Sequence, residues 1–81
     1  MYYVYILKSI KHSRYYIGHS QDHIKRLSEH NRGKVRSTKA YIPWVIVYQE
    51  EYLTKSEAYK REMQIKSYKS GNAFNKLINK N

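Results

Sequence analysis

Eighty-one residues fit one small domain with a thin core, and the absence of cysteine excludes disulfides, thiolate zinc sites and cysteine nucleophiles. A net charge of +10 and a pI near 9.9 point to a polyanion, meaning nucleic acid or an anionic membrane surface, unless the basic surface serves solubility alone. The longest apolar run, Trp44 to Tyr48, is far short of a spanning helix of about 20 residues, and no charged-then-apolar leader opens the chain, so neither a membrane nor secretion is expected.

Residues 2–7 (YYVYIL) form a β-branched and aromatic run, apolar on both faces, which predicts a central strand. Residues 15–18 predict a second strand hairpinned to the first and closed by Gly18, where a missing side chain marks a bend or a close approach of another backbone. Ser20 reads as an N-cap, with Asp22 in the first turn and Ile24 and Leu27 on the buried stripe of a short helix ending near Asn31 to Gly33. The basic segment from Arg32 to Ala40 reads as an exposed loop. Pro43 then leads into a third strand over 44–48, at an entrance where a proline costs no ladder bond.

The second helix has the clearest start. Thr54-Lys55-Ser56-Glu57 is a capping box, with Leu53 and Ala58 placed for a hydrophobic staple, and the helix is expected to run to about Lys69. Gly71 suits a C-terminal stop, and Asn72 suits the cap of a last helix carrying Ala73, Phe74, Leu77 and Ile78. The order β-β-α-β-α-α implies an α/β domain over 1–81, with a small, mainly antiparallel three-stranded sheet flanked by helices.

On a helical wheel Ala58, Tyr59, Met63, Ile65 and Tyr68 make an apolar arc, and Glu62 falls inside it, about 40° from Ala58. A carboxylate facing a core must meet a cation or donors, either in a salt bridge or as a ligand of a hard metal such as magnesium or manganese. Arg26 and His30 share one face of the first helix; Arg26 is placed to pair with Asp22 or Glu29, or to clamp a phosphate. Tyr5 and Tyr16 would approach each other beside Gly18, where two hydroxyls are placed to handle a water and a phosphate oxygen. His19 and His23 are four apart with no helix spanning both, so zinc is not expected.

Together these residues resemble the GIY-YIG nuclease domain of certain homing endonucleases, the incision subunit of bacterial excision repair and structure-specific junction resolvases, and most closely its small single-domain members. Tyr3-Val4-Tyr5 stands at the first family tripeptide, with Tyr3 in place of its glycine, and Tyr16-Ile17-Gly18 reproduces the second. Arg26 matches the family arginine, Glu29-His30-Asn31 follows it, and Glu62 takes the place of the metal-binding glutamate. Asn72 and Asn75 are candidates for the asparagine that some members place after the second helix.

The resemblance implies a cytoplasmic, repair-related endonuclease. One Mg2+ or Mn2+ ion on Glu62 would polarise the scissile phosphate, Tyr5 or Tyr16 would assist the attacking water, Arg26 would neutralise charge and His30 would orient or transfer a proton. Gly18, Arg32, Lys34, Arg36, Lys39 and Lys66 are expected to meet the nucleic acid, DNA before RNA. With no separate recognition domain expected, specificity would come from nucleic-acid shape or from a protein partner, or be absent. The competing readings are a non-catalytic DNA- or RNA-binding module on the same fold, and a scaffold for an acidic protein.

Overall fold

A computed structural model describes residues 1–69 and 71–79; residues 70, 80 and 81 of the expected domain lie outside the described set. Its elements follow in the predicted order: β1 (Tyr2–Ser9), β2 (Tyr15–Ser20), α1 (His23–Asn31), a single 3-10 turn (Lys39–Tyr41), β3 (Trp44–Tyr52), α2 (Lys55–Lys66) and α3 (Asn72–Ile78). The sheet order is β2-β1-β3 and both pairings are antiparallel. The strand that is apolar on both faces is therefore the central one, as its composition requires.

Alternation along β1 feeds two layers. Val4 and Ile6 point to one face and pack with Ala58, Ile65 and Phe74 under α2 and α3. Tyr5 and Leu7 point to the other and pack with Trp44, Tyr16, Leu27 and Ile46 beside α1. Each fully buried Val, Leu or Ile contributes about 1.5–3 kcal/mol relative to an exposed one, so these few side chains carry much of the stability of a domain this small. Between Ile6 and Leu7 the pairing with β3 slips, and Val47 is the extra residue of a bulge. No helix of the described residues is long and apolar enough to cross a membrane.

Several local expectations are corrected. β2 continues through Ser20, and Asp22 is the N-cap of α1, its side chain accepting from the Lys25 backbone N–H at 2.9 Å. Ser20 instead accepts from the Asp22 N–H at 3.0 Å, an Asx-type turn between strand and helix. Because the helix starts at His23, the face turned inward is His23, Leu27 and His30, and Ile24 is left 61% exposed.

The capping box of α2 forms in both directions: Thr54 Oγ1 accepts from the Glu57 N–H, and the Glu57 carboxylate accepts from the Thr54 N–H. The staple does not form, since Leu53 is 77% exposed. The inward face is the narrow row Ala58, Glu62 and Ile65, with Tyr59 and Met63 turned outward. The helix ends at Lys66, and the left-handed residue that follows it is Lys69 at φ 49°, while Gly71 is extended at φ −82° and serves as the N-cap of α3. Asn72 is thus the first residue of α3 and not its cap.

Candidate active site around Gly18

The site is built on the register of the hairpin. Tyr5 faces Gly18 and Leu7 faces Tyr16 across β1 and β2, so both tyrosines lie on the α1 face of the sheet. A Cβ on Gly18 would stand 2.9 Å from the Tyr5 hydroxyl, 3.0 Å from Tyr16 Cε2 and 3.1 Å from Tyr5 Cζ. The glycine is there because the Tyr5 ring occupies the space a side chain would need. The two rings lie 6.4 Å apart between centroids, and Tyr16 lies against His30 at 4.6 Å.

Helix α1 supplies the next pair. The Arg26 guanidinium lies beside the Tyr5 hydroxyl and donates to Glu29 at 2.6 Å, so the predicted intrahelical partner is Glu29 rather than Asp22. Burial pushes the Tyr5 hydroxyl pKa up against the pull of Arg26, and the charge of Glu62 acts in the same upward direction. Tyr5 therefore stays protonated at neutral pH.

His30 is fully buried. Its Nδ1 lies 2.8 Å from Thr38 Oγ1, whose own proton goes to the Val35 carbonyl at 3.3 Å. Nδ1 is then the donor, and Nε2 keeps a free lone pair with no partner among the described residues. Burial, reinforced by the positive charge of Arg26, holds the imidazole pKa below its ordinary value and the ring neutral. Asn31 closes the helix onto the sheet: it accepts from the Trp44 N–H at 2.6 Å and donates to the Trp44 carbonyl at 3.0 Å.

Glu62 approaches from the other layer. It is 7% exposed, between Ala58 and Ile65 on the inward row of α2. Its Oε1 accepts from His19 Nδ1 at 2.5 Å and its Oε2 from Lys66 Nζ at 2.6 Å. His19 follows Gly18 and points to the opposite face of β2, which is why it meets α2. From the other face the charge of Glu62 still acts on the Tyr5 hydroxyl. Tyr5, Tyr16, Arg26 and His30 thus stand together on the α1 face beside Gly18, while Glu62 stands on the α2 face against His19.

A carboxylate is the ligand type a hard divalent ion takes, and an ion that keeps several waters needs no more than one or two; here both Glu62 oxygens are engaged, by His19 and Lys66, which such an ion would have to displace. No cluster of three or more His, Cys, Asp or Glu occurs among the described residues.

The expected basic contacts divide. Arg32, Lys34, Arg36 and Lys39 are exposed along one loop, although Thr38 within it is buried under His30 and accepts the Trp44 indole N–H at 3.0 Å, so the loop is anchored rather than wholly exposed. Lys66 is exposed too, but its ammonium sits on Glu62. Asn72 and Asn75 are exposed on α3, and neither makes a side-chain hydrogen bond to Glu62 or the tyrosines. Sequence reasoning missed His19 and Thr38. Strand alternation through Gly18 would have placed His19 on the α2 face, had β2 been carried to Ser20.

The description "GIY-YIG catalytic domain" matches residues 1–76. A UPF0213 protein of Staphylococcus aureus strain Mu3 is 48% identical over 67 residues, covering 82% of this chain and 80% of that protein. UPF0213 protein SAV0488 of strain Mu50 matches to the same extent. The solution NMR structure of UPF0213 protein BH0048 from Bacillus halodurans is similar with a TM-score of 0.59 at 29% identity, covering 96% of this chain and 83% of that one.

Proposed function

This chain belongs to the GIY-YIG catalytic-domain family, and from that premise we propose that it hydrolyses phosphodiester bonds in DNA as a metal-dependent endonuclease. The observation that carries the reading is the grouping of the Tyr5 hydroxyl and Arg26 beside Gly18, with the Glu62 carboxylate near enough for its charge to act on that hydroxyl. The extent of the family match supports reading 1–81 as one such domain.

The residues divide the work by their environments. Tyr5, kept protonated by burial, donates to a non-bridging phosphate oxygen, and Arg26 beside it neutralises charge gathering on that oxygen. Tyr16 is left to position the attacking water, whose proton passes to solvent, and neutral His30, buried against the Tyr16 ring, holds that ring in orientation. Water adds to phosphorus as the bond to the leaving oxygen breaks, and that oxygen takes a proton from solvent. Glu62 would hold the Mg2+ or Mn2+ ion, which supplies Lewis-acid polarisation of the phosphate when bound. Arg32, Lys34, Arg36 and Lys39 contact the DNA backbone from the loop, which favours recognition by shape, or by a partner protein, over reading of bases. A cytoplasmic repair role suits such a substrate.

A second reading has its own observation. His19 and Lys66 both engage Glu62, and a carboxylate held this way is satisfied without a metal, as in a module that binds DNA or RNA and does not cut. Branched, flap, nicked and single-stranded DNA and structured RNA, incubated with Mg2+ or Mn2+ beside Glu62→Ala, separate the two. Metal-dependent cutting that disappears in the variant supports the enzyme. Salt-sensitive binding of every substrate by both proteins, with none cut, supports the module.

A further inference from the structure

On the α2 face, away from Tyr5 and Tyr16, lies a groove of about 320 Å3 that the catalytic reading does not use. Its walls include Arg14 and Tyr15 at the start of β2, Ile65 and Lys66 on α2, Lys69 in the turn after α2, and Phe74 on α3. Among the described residues Arg14, Lys66 and Lys69 line it and no acidic side chain does; the Arg14 guanidinium also lies over the Tyr41 ring, 4.8 Å from its centroid. Lys66 is the wall shared with the site, since its ammonium rests on Glu62. Tyr15 is 36% exposed and its ring is held by Phe74 in an edge contact at 5.1 Å, so it offers fixed aromatic surface. Lys69 reaches the groove from a left-handed conformation, φ 49°, that lysine seldom takes and that the fold must maintain.

Basic side chains around a fixed aromatic ring are the combination that binds single strands: the cations track phosphates and the ring stacks a base of any identity. The volume stands at the lower limit of small-ligand sites, roughly 300–1,000 Å3, enough for one nucleotide unit. The groove begins at Tyr15, three strand residues and roughly 10 Å from Gly18, so a strand running along the open edge of β2 reaches both. We infer that this groove holds a single-stranded nucleotide next to the cleaved bond, making the substrate a DNA with an unpaired segment at the cut. This deepens the nuclease reading and rests on it for the word substrate; the binding itself does not.

The test is fluorescence anisotropy without metal, in EDTA, so that nothing is cut. The probes are a ten-nucleotide thymidine oligomer, a blunt duplex and a duplex with a single-stranded overhang. Lys69→Ala and Arg14→Ala should weaken binding of the oligomer and overhang, and each should lower the salt slope by about 0.7, the value for one single-strand phosphate left without its cation. Tyr15→Leu, which keeps apolar packing on Phe74, should weaken both by about 5- to 100-fold with the slope unchanged, while Tyr15→Phe retains affinity. Blunt-duplex binding should hold in all four. Equal losses on the blunt duplex, or none on the oligomer, overturn the inference. The groove variants are then assayed for cutting with metal. A wild-type chain that cuts no substrate but shows the anisotropy pattern refutes the nuclease reading and leaves the groove standing. A chain that cuts, with groove variants that bind the oligomer as wild type does, refutes the groove and leaves the nuclease.

Discussion

Replacing Gly18 by alanine puts the central geometry to a quantitative test. The backbone there is ordinary strand, not left-handed, so alanine by itself would stabilise the fold by about 0.4–1 kcal/mol through the unfolded chain. The new methyl, however, meets the Tyr5 hydroxyl oxygen and two ring carbons at 2.9 to 3.1 Å, on Tyr5, which is 1% exposed and has nowhere to go, and on Tyr16. Overpacking of that kind costs about 1–3 kcal/mol, so the net change is a destabilisation of about 1–2 kcal/mol. At about 4–8 °C per kcal/mol for a domain of this size, Tm should fall by about 5–15 °C. In a Tyr5→Phe background the shortest of the three contacts is gone, so the same substitution should cost less, a coupling that thermal melts of the four proteins read directly. On the proposed nuclease reading, activity in Gly18→Ala should drop by up to about 100-fold, the loss expected when a reacting group is misplaced by about 1 Å. A Tm that is unchanged or raised, or a cost identical in both backgrounds, would refute the account of why this position is glycine.

Three further outcomes follow from the structure. His30 has its pKa lowered by burial, so the unfolded chain binds the proton more readily; stability is complete above about 6.5, the unfolded value, and declines as pH falls below it. Melts between pH 7.5 and 5 should show this decline, and His30→Gln should flatten it. Glu50 accepts from Tyr48, Tyr52 and both Nε and Nη2 of Arg61, and burial together with that carboxylate pushes Tyr52 up to about 12. In an NMR titration of the tyrosine ring carbons, Glu50→Gln should bring Tyr52 back toward its ordinary value; an unmoved titration rules out the carboxylate as a cause. Asn31→Asp keeps the acceptor for the Trp44 N–H but loses the donor to its carbonyl, leaving a half-buried carboxylate against an oxygen. It should cost about 1–3 kcal/mol, read as a fall in urea midpoint with the m-value unchanged.

What the sequence disclosed tracks how local each cause is. Strand β1 is legible because six residues of one character, Tyr2 to Leu7, fix a central position, and the start of α2 because a capping box is complete within four residues. Glu62 stands out for a similar reason: an acid in an apolar arc is anomalous without any knowledge of the fold. The arc itself is too generous, since hydrophobicity marks Tyr59 and Met63 as candidates for burial while only the sheet decides how wide a face it covers. The start of α1 is misplaced for want of one fact, the end of β2: Ser20 and Asp22 are both good caps, and the strand claims the first. His19 and Thr38 are illegible as site residues because their partners lie 43 and 8 residues away. His30 is expected as a functional residue, but its protonation state depends on burial that no local pattern announces.

Strand β2 pairs with β1 on one side only, so its outer row of backbone groups offers a template on which another chain's strand could be laid. Such an addition would close over Gly18 and its neighbours, and a copy of this same protein would be the nearest candidate at high concentration. A net charge of +10 makes two copies repel one another while drawing in a polyanion. The excess of lysine and arginine thus acts in two ways, opposing self-association through this edge and favouring a polyanion over a second copy.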